Sequence, residues 1–161
     1  LGLTTTLTLV VFYLAKINLF SSIVGLAAFL AQLISVIMGV RHFRDRCQNG
    51  LISYGSAFGT SMLISVFGGF IVGVAYYLLF FWVDRQLIEN SLDSIYQQLS
   101  QSGLKEETIE KMMGVQKMTF EYPGLFFFSR FFEVVTEVFF IALFSSVFLR
   151  TKANPFNNNI G

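Results

Sequence analysis

Residues 51–83 read LISYGSAFGTSMLISVFGGFIVGVAYYLLFFWV and carry no charged side chain. A helix needs about 20 apolar residues to cross a hydrocarbon core of about 30 Å, so this run exceeds a perpendicular crossing. Its opening, Leu51-Ile52-Ser53-Tyr54-Gly55-Ser56, is half polar. It is expected to enter along the interface and lead into a tilted span over about residues 58–81. Two further stretches behave alike. Residues 21–40 are free of charge, with Gln32 the most polar side chain. Residues 123–149 open on Pro123-Gly124 and are followed by Arg150 and Lys152; proline suits a first helical turn, where its missing N–H costs nothing. Residues 3–20 form a weaker fourth stretch, with Thr4, Thr5, Thr6, Thr8 and Lys16 among them. Only about 12 of its residues are firmly apolar, short of a full crossing. The chain begins with Leu1 rather than Met, and a missing start explains the shortfall better than a re-entrant segment. The expectation is an all-α integral membrane protein: four transmembrane helices in a single domain over residues 1–152, then a polar tail at 153–161.

Composition points the same way. Of 161 residues, 54% are hydrophobic and 13% charged, with a mean hydropathy of +0.64. Soluble domains carry about 25% charge, and one of this length leaves about a third of its chain surface in water. So few charges cannot cover that surface, which excludes a soluble enzyme domain, a disordered tail and a disulfide-stapled module. A net charge of +1 gives no field for nucleic acid. Cys47 and His42 are each the only residue of their kind, so neither a disulfide within the chain nor a structural zinc site can form. The glycine motifs that cradle phosphates and the nucleophile elbow are missing. No metal, cofactor or catalytic residue is therefore expected, and the chain is not expected to be an enzyme.

Charge placement predicts orientation. The segment Arg41-His42-Phe43-Arg44-Asp45-Arg46 and the exit at Arg150 and Lys152 are basic. With four spans they fall on one side, cytoplasmic by the positive-inside rule. Residues 84–122 carry seven acids against four basic residues and fall outside. Within that loop Leu87, Ile88, Leu92, Ile95, Tyr96 and Leu99 recur at helical spacing. Ser102-Gly103 gives a stop, and residues 104–113 read as a second short helix, with Glu106, Glu107 and Glu110 at the positive end of its dipole. The expected arrangement is an extracytoplasmic amphipathic helical hairpin over the mouth of the bundle; a solvated spacer is the plainer alternative.

Several constellations could carry function. Ala57, Ser61, Ser65, Gly69 and Gly73 recur every four residues, and small residues let membrane helices approach closely. Gly25, Ala28, Gln32, Ser35 and Gly39 offer a complementary surface, and Gly55 and Gly59 form an adjacent pair. Packing within the chain is the simplest reading, and an interface with another copy or another membrane protein the next. Arg130, Glu133 and Glu137 share one face of the last span. A charge at the bilayer centre costs roughly 2.5–3.5 kcal/mol, so this face must meet the bundle, a partner or a wet cavity. It reads as an internal polar lock joined by Lys16, Gln32 or Asn18, as a docking site for a basic group, or as a proton, ion or lipid-headgroup site. Lys16 and Arg130 together could hold a lipid phosphate. The run of nine Phe between Phe126 and Phe148 is a lipid-facing or packing surface before it is a ligand box. Arg41, Arg44 and Arg46 read as topology determinants that can also meet anionic lipid.

The basic segment from Arg41 to Gly50, followed by Ile52-Ser53-Tyr54-Gly55-Ser56-Ala57-Phe58, a glycine-rich span, an acidic helical loop and a last span with a basic exit, resembles a bacterial inner-membrane family. That family is the domain of unknown function 4199, found mainly in Bacteroidota. The resemblance implies about four spans, carries over no catalytic residue, and implies an accessory place beside a membrane glycosyltransferase. Two functional expectations follow. One is a non-enzymatic accessory or scaffold subunit of a larger envelope-associated complex. The other is a small transporter or lipid-carrier-handling protein using Lys16, Arg130, Glu133 and Glu137.

Overall fold

The computed structural model describes residues 1–19 and 21–151; Phe20, Lys152 and the tail at 153–161 lie outside them. The described residues form six α-helices and no strand. They are α1 (Gly2–Leu14), α2 (Ser22–Cys47), α3 (Tyr54–Leu78), α4 (Gln86–Gln101), α5 (Glu106–Glu121) and α6 (Pro123–Leu149), with a π-helical turn at Leu79–Val83 continuing α3. Three of these, α2, α3 with its π turn, and α6, are long and apolar enough to cross a membrane. The 13 residues of α1 reach about 20 Å at 1.5 Å per residue, less than a bilayer core.

Four boundaries differ from the sequence expectation, each for a local reason. Helix α1 ends at Leu14 rather than near residue 20, because the Lys16 and Ile17 N–H groups close it onto Tyr13 O and Phe12 O, with Lys16 at φ 55°. The basic segment is not a loop. Helix α2 runs on to Cys47 because no breaker intervenes before Asn49 and Gly50, both at positive φ (49° and 81°). Arg44 and Arg46 in its last turn suit the negative end of the helix dipole. Helix α3 starts at Tyr54 rather than near 58, because Ser53 caps it by accepting from the Ser56 N–H at 3.2 Å. Helix α5 runs eight residues beyond Met113, to Glu121, and buries Ile109 and Phe120; a lone Gly114 does not stop it.

The most extensive packing joins α3 to α6, and α1 and α2 complete the bundle. Towards the end carrying Arg41–Arg46, the core holds Val36, Val40, Ala57, Val134 and Val138. There Thr151 ties the α2–α3 connection to the end of α6. Its Oγ1 donates to Gly50 O at 2.9 Å and accepts from the Ile52 N–H at 2.9 Å. At the opposite end the rings of Phe80, Phe120 and Phe126 pack together at 5.1–6.0 Å between centroids. Leu87, Ile88, Leu92 and Ile95 of α4 pack against that cluster. Helices α4 and α5 also pack against each other, α4 against the π turn and α5 against α6. These four residues of the α4 stripe are thus seated on the bundle, while Tyr96 is exposed. Trp82 in the π turn is 76% exposed, a position that suits an indole at a bilayer surface.

Candidate functional site: a charged cavity between α2, α3 and α6

Helix α6 carries Arg130, Glu133 and Glu137 on one face, about 10 to 21 Å along the axis from Pro123 at 1.5 Å per residue. Unpaired, each would cost roughly 2.5–3.5 kcal/mol at the bilayer centre. All three line a cavity of about 200 Å³ together with Gln32 of α2, Tyr76 of α3 and Thr5 of α1. Arg130 Nη1 donates to Glu133 Oε2 at 2.7 Å. The guanidinium carbon lies 5.5 Å from the ring centroids of both Tyr76 and Phe126, within cation–π range. The arginine is thus enclosed by aromatic faces and neutralised one turn along its own helix.

Glu137 has a different partner. Gln32 Nε2 donates to its Oε2 at 2.7 Å, joining α2 to α6 across the cavity. Gln32 is 2% exposed, and its Oε1 meets no hydrogen-bond partner among the described residues. Of the three side chains named as possible members of a lock, Gln32 sits in this cavity. Lys16 and Asn18 do not. They line a separate cavity of about 560 Å³ between the α1–α2 connection and α4, where Asn18 Nδ2 donates to Ser94 Oγ at 2.6 Å. Lys16 and Arg130 therefore do not meet on one phosphate.

The remaining sequence candidates fall as follows. Ala57, Ser61, Ser65, Gly69 and Gly73 are all buried. A Cβ at Gly69 would lie 3.3 Å from the Phe131 backbone oxygen, and one at Gly73 would lie 2.9 Å from the Phe127 ring. Gly69 and Gly73 thus bring α3 onto α6, not onto the stripe of α2. On α2, Gly39 faces Ile64, Ser35 bonds Thr4 at 2.8 Å, and Gly25 and Ala28 line the charged cavity. A Cβ at Gly55 or Gly59 would meet open space. Phe126 is buried, while Phe128, Phe132, Phe140, Phe144 and Phe148 point outward. Arg41 rims an apolar groove between α2 and α6, Arg44 pairs with Asp45 at 2.7 Å, and Arg46 is exposed. Among the described residues no group of His, Cys, Asp and Glu could hold a metal.

The sequence contains the whole of this charged face, and a family profile spans all of it. The family described as Protein of unknown function (DUF4199) matches residues 1–151. The chain belongs to that family. No curated protein and no solved structure matches it. The DUF4199 region takes in all six helices, so both cavities and the buried stripe lie within it. Sequence reasoning missed the aromatic walls of Arg130. The available signal was an aromatic three residues after Gly73, on the helix that the small residues hold against α6.

Proposed function

We propose that this DUF4199 protein is a non-enzymatic inner-membrane subunit that packs against a larger membrane protein. Its transmembrane helices are α2, α3 and α6, with the shorter α1 as a fourth that is matched by local thinning of the bilayer, and α4–α5 is an extracytoplasmic hairpin. The observation that carries this reading is the asymmetry of one ion pair: the Glu133 side chain is 49% exposed while that of Arg130 is 18% exposed. Lipid is a poor neighbour for a half-exposed carboxylate. A partner helix that brings a Lys or Arg to the same depth offsets that charge and covers Glu133. The basic end of α2, with Arg41, Arg44 and Arg46, then lies in the cytoplasm by the positive-inside rule, where it also meets anionic headgroups.

The test is co-purification from native membranes in mild detergent, with the wild type beside Glu133→Gln and Glu133→Lys. Wild type is expected to retain a stoichiometric membrane partner, Glu133→Gln less of it, and Glu133→Lys none. A monodisperse wild-type monomer without a partner by mass spectrometry refutes the proposal. So does undiminished partner on Glu133→Lys.

A further inference from the structure

The larger cavity lies at the opposite end of α1 from its start, where the charge-free run of α3 stops at Asp84. Its walls carry one cation and one anion. Asp84 is already oriented: Tyr13 Oη donates to Oδ2 at 3.3 Å, and the Gln86 N–H donates to Oδ1 at 3.1 Å. Lys16 makes no ion pair with Asp84 or with any other described residue. Asn90, Ser91 and Ser94 add amide and hydroxyl groups, while Leu14 and Ile17 supply an apolar side. At about 560 Å³ the cavity falls within the range of small-molecule sites.

Two observations make Lys16 more than a chance surface lysine. The first is its backbone. Helix α1 ends with the Lys16 N–H donating to Tyr13 O and the Ile17 N–H to Phe12 O, both at 3.0 Å. That pair is the Schellman motif, which puts Lys16 at φ 55°, the left-handed position normally taken by glycine. A side chain there costs roughly 1–2 kcal/mol, so a lysine stands at a place where glycine would fold more easily. The second is what adjoins the cavity. Leu3, Leu7, Val10 and Leu14 are all exposed along one face of α1. They form a strip of roughly 16 Å at 1.5 Å per residue that ends at the cavity wall.

We propose that this cavity binds the headgroup of a zwitterionic glycerophospholipid, a phosphoethanolamine diester. Its phosphate meets Lys16, its ammonium meets Asp84, and an acyl chain lies along the α1 strip. The carboxylate in the wall disfavours a purely anionic headgroup, since an anion gains Lys16 but meets Asp84 unpaired. The apolar strip favours a lipid over a soluble phosphodiester.

The experiment is lipid binding by native mass spectrometry and thermal shift on the purified full chain. The probes are phosphatidylethanolamine, phosphatidylglycerol, diacylglycerol and soluble glycerophosphoethanolamine. Phosphatidylethanolamine is expected to bind tightest, with Lys16→Gln weakening it about tenfold or more through loss of a charge-assisted contact. Asp84→Asn is expected to abolish the preference over phosphatidylglycerol. Lys16→Gly separates binding from folding: it should melt no lower than wild type, because glycine relieves the left-handed position, yet lose the lipid. Equal binding of diacylglycerol, of phosphatidylglycerol or of the soluble diester to wild type overturns the proposal. Undiminished phosphatidylethanolamine binding by Lys16→Gly does the same.

Discussion

Replacing Gln32 by Leu removes the one side-chain hydrogen bond that crosses from α2 to Glu137, at 2.7 Å. The expected cost has two parts. A hydrogen bond to a charged group contributes about 1.5–3 kcal/mol in water-soluble proteins. Interhelical hydrogen bonds in membranes average nearer 0.6 kcal/mol and reach about 1.7. Because Gln32 is almost fully buried and the acceptor is a carboxylate, the upper part of the membrane range applies. The pair should therefore couple by about 1–2 kcal/mol. A double-mutant cycle of Gln32→Leu, Glu137→Leu and the double variant isolates that quantity. Each single change leaves one polar partner stranded in the cavity, whereas the double change leaves neither, so it should cost less than the two singles combined. Glu137→Gln keeps an acceptor oxygen and should lose less than Glu137→Leu. Unfolding by titration with a denaturing detergent can be followed by Trp82, the single tryptophan of the chain. Additivity of the two leucine variants within about 0.5 kcal/mol would show that the residues do not act together.

The buried stripe makes a second prediction. Gly69→Leu and Gly73→Leu should each destabilise by about 1–3 kcal/mol or more through overpacking, while Gly55→Leu and Gly59→Leu, which face open space, should be near neutral in the same unfolding assay. Orientation is checked by the lone, exposed Cys47. A membrane-impermeant maleimide should label it only in inside-out vesicles, and a Ser102→Cys, Cys47→Ser variant only in right-side-out ones; the reverse pattern refutes the topology. Thr151→Val removes the acceptor of the Ile52 N–H and the donor to Gly50 O. Hydrogen exchange at the Ile52 amide should then speed up about tenfold, the effect of losing one ordinary hydrogen bond.

The charge-free runs at 21–40, 51–83 and 123–149 made three membrane-length helices legible in advance, because length and apolarity alone decide whether a helix can cross lipid. The i, i+3 pairing of Arg130 with Glu133 was equally legible, since helical geometry fixes it without reference to any other element. The amphipathic pattern of α4 was local too. Its docking on the π turn was not, because spacing shows which face is apolar but not what covers it.

What the sequence could not settle was which helices face one another. Gln32 and Glu137 lie 105 positions apart, and their hydrogen bond depends on α3 closing onto α6 at Gly69 and Gly73 while α2 closes the third side. Lys16 could be assigned to the Arg130 cluster by depth alone; the turn at the end of α1 sends it to another cavity, beside Asp84. Sequence determined the class, the helix-forming runs and the charges that must be sheltered, because those depend on transfer from water and on local periodicity. Tertiary structure decided which charge shelters which, because shelter depends on side chains brought together from distant helices.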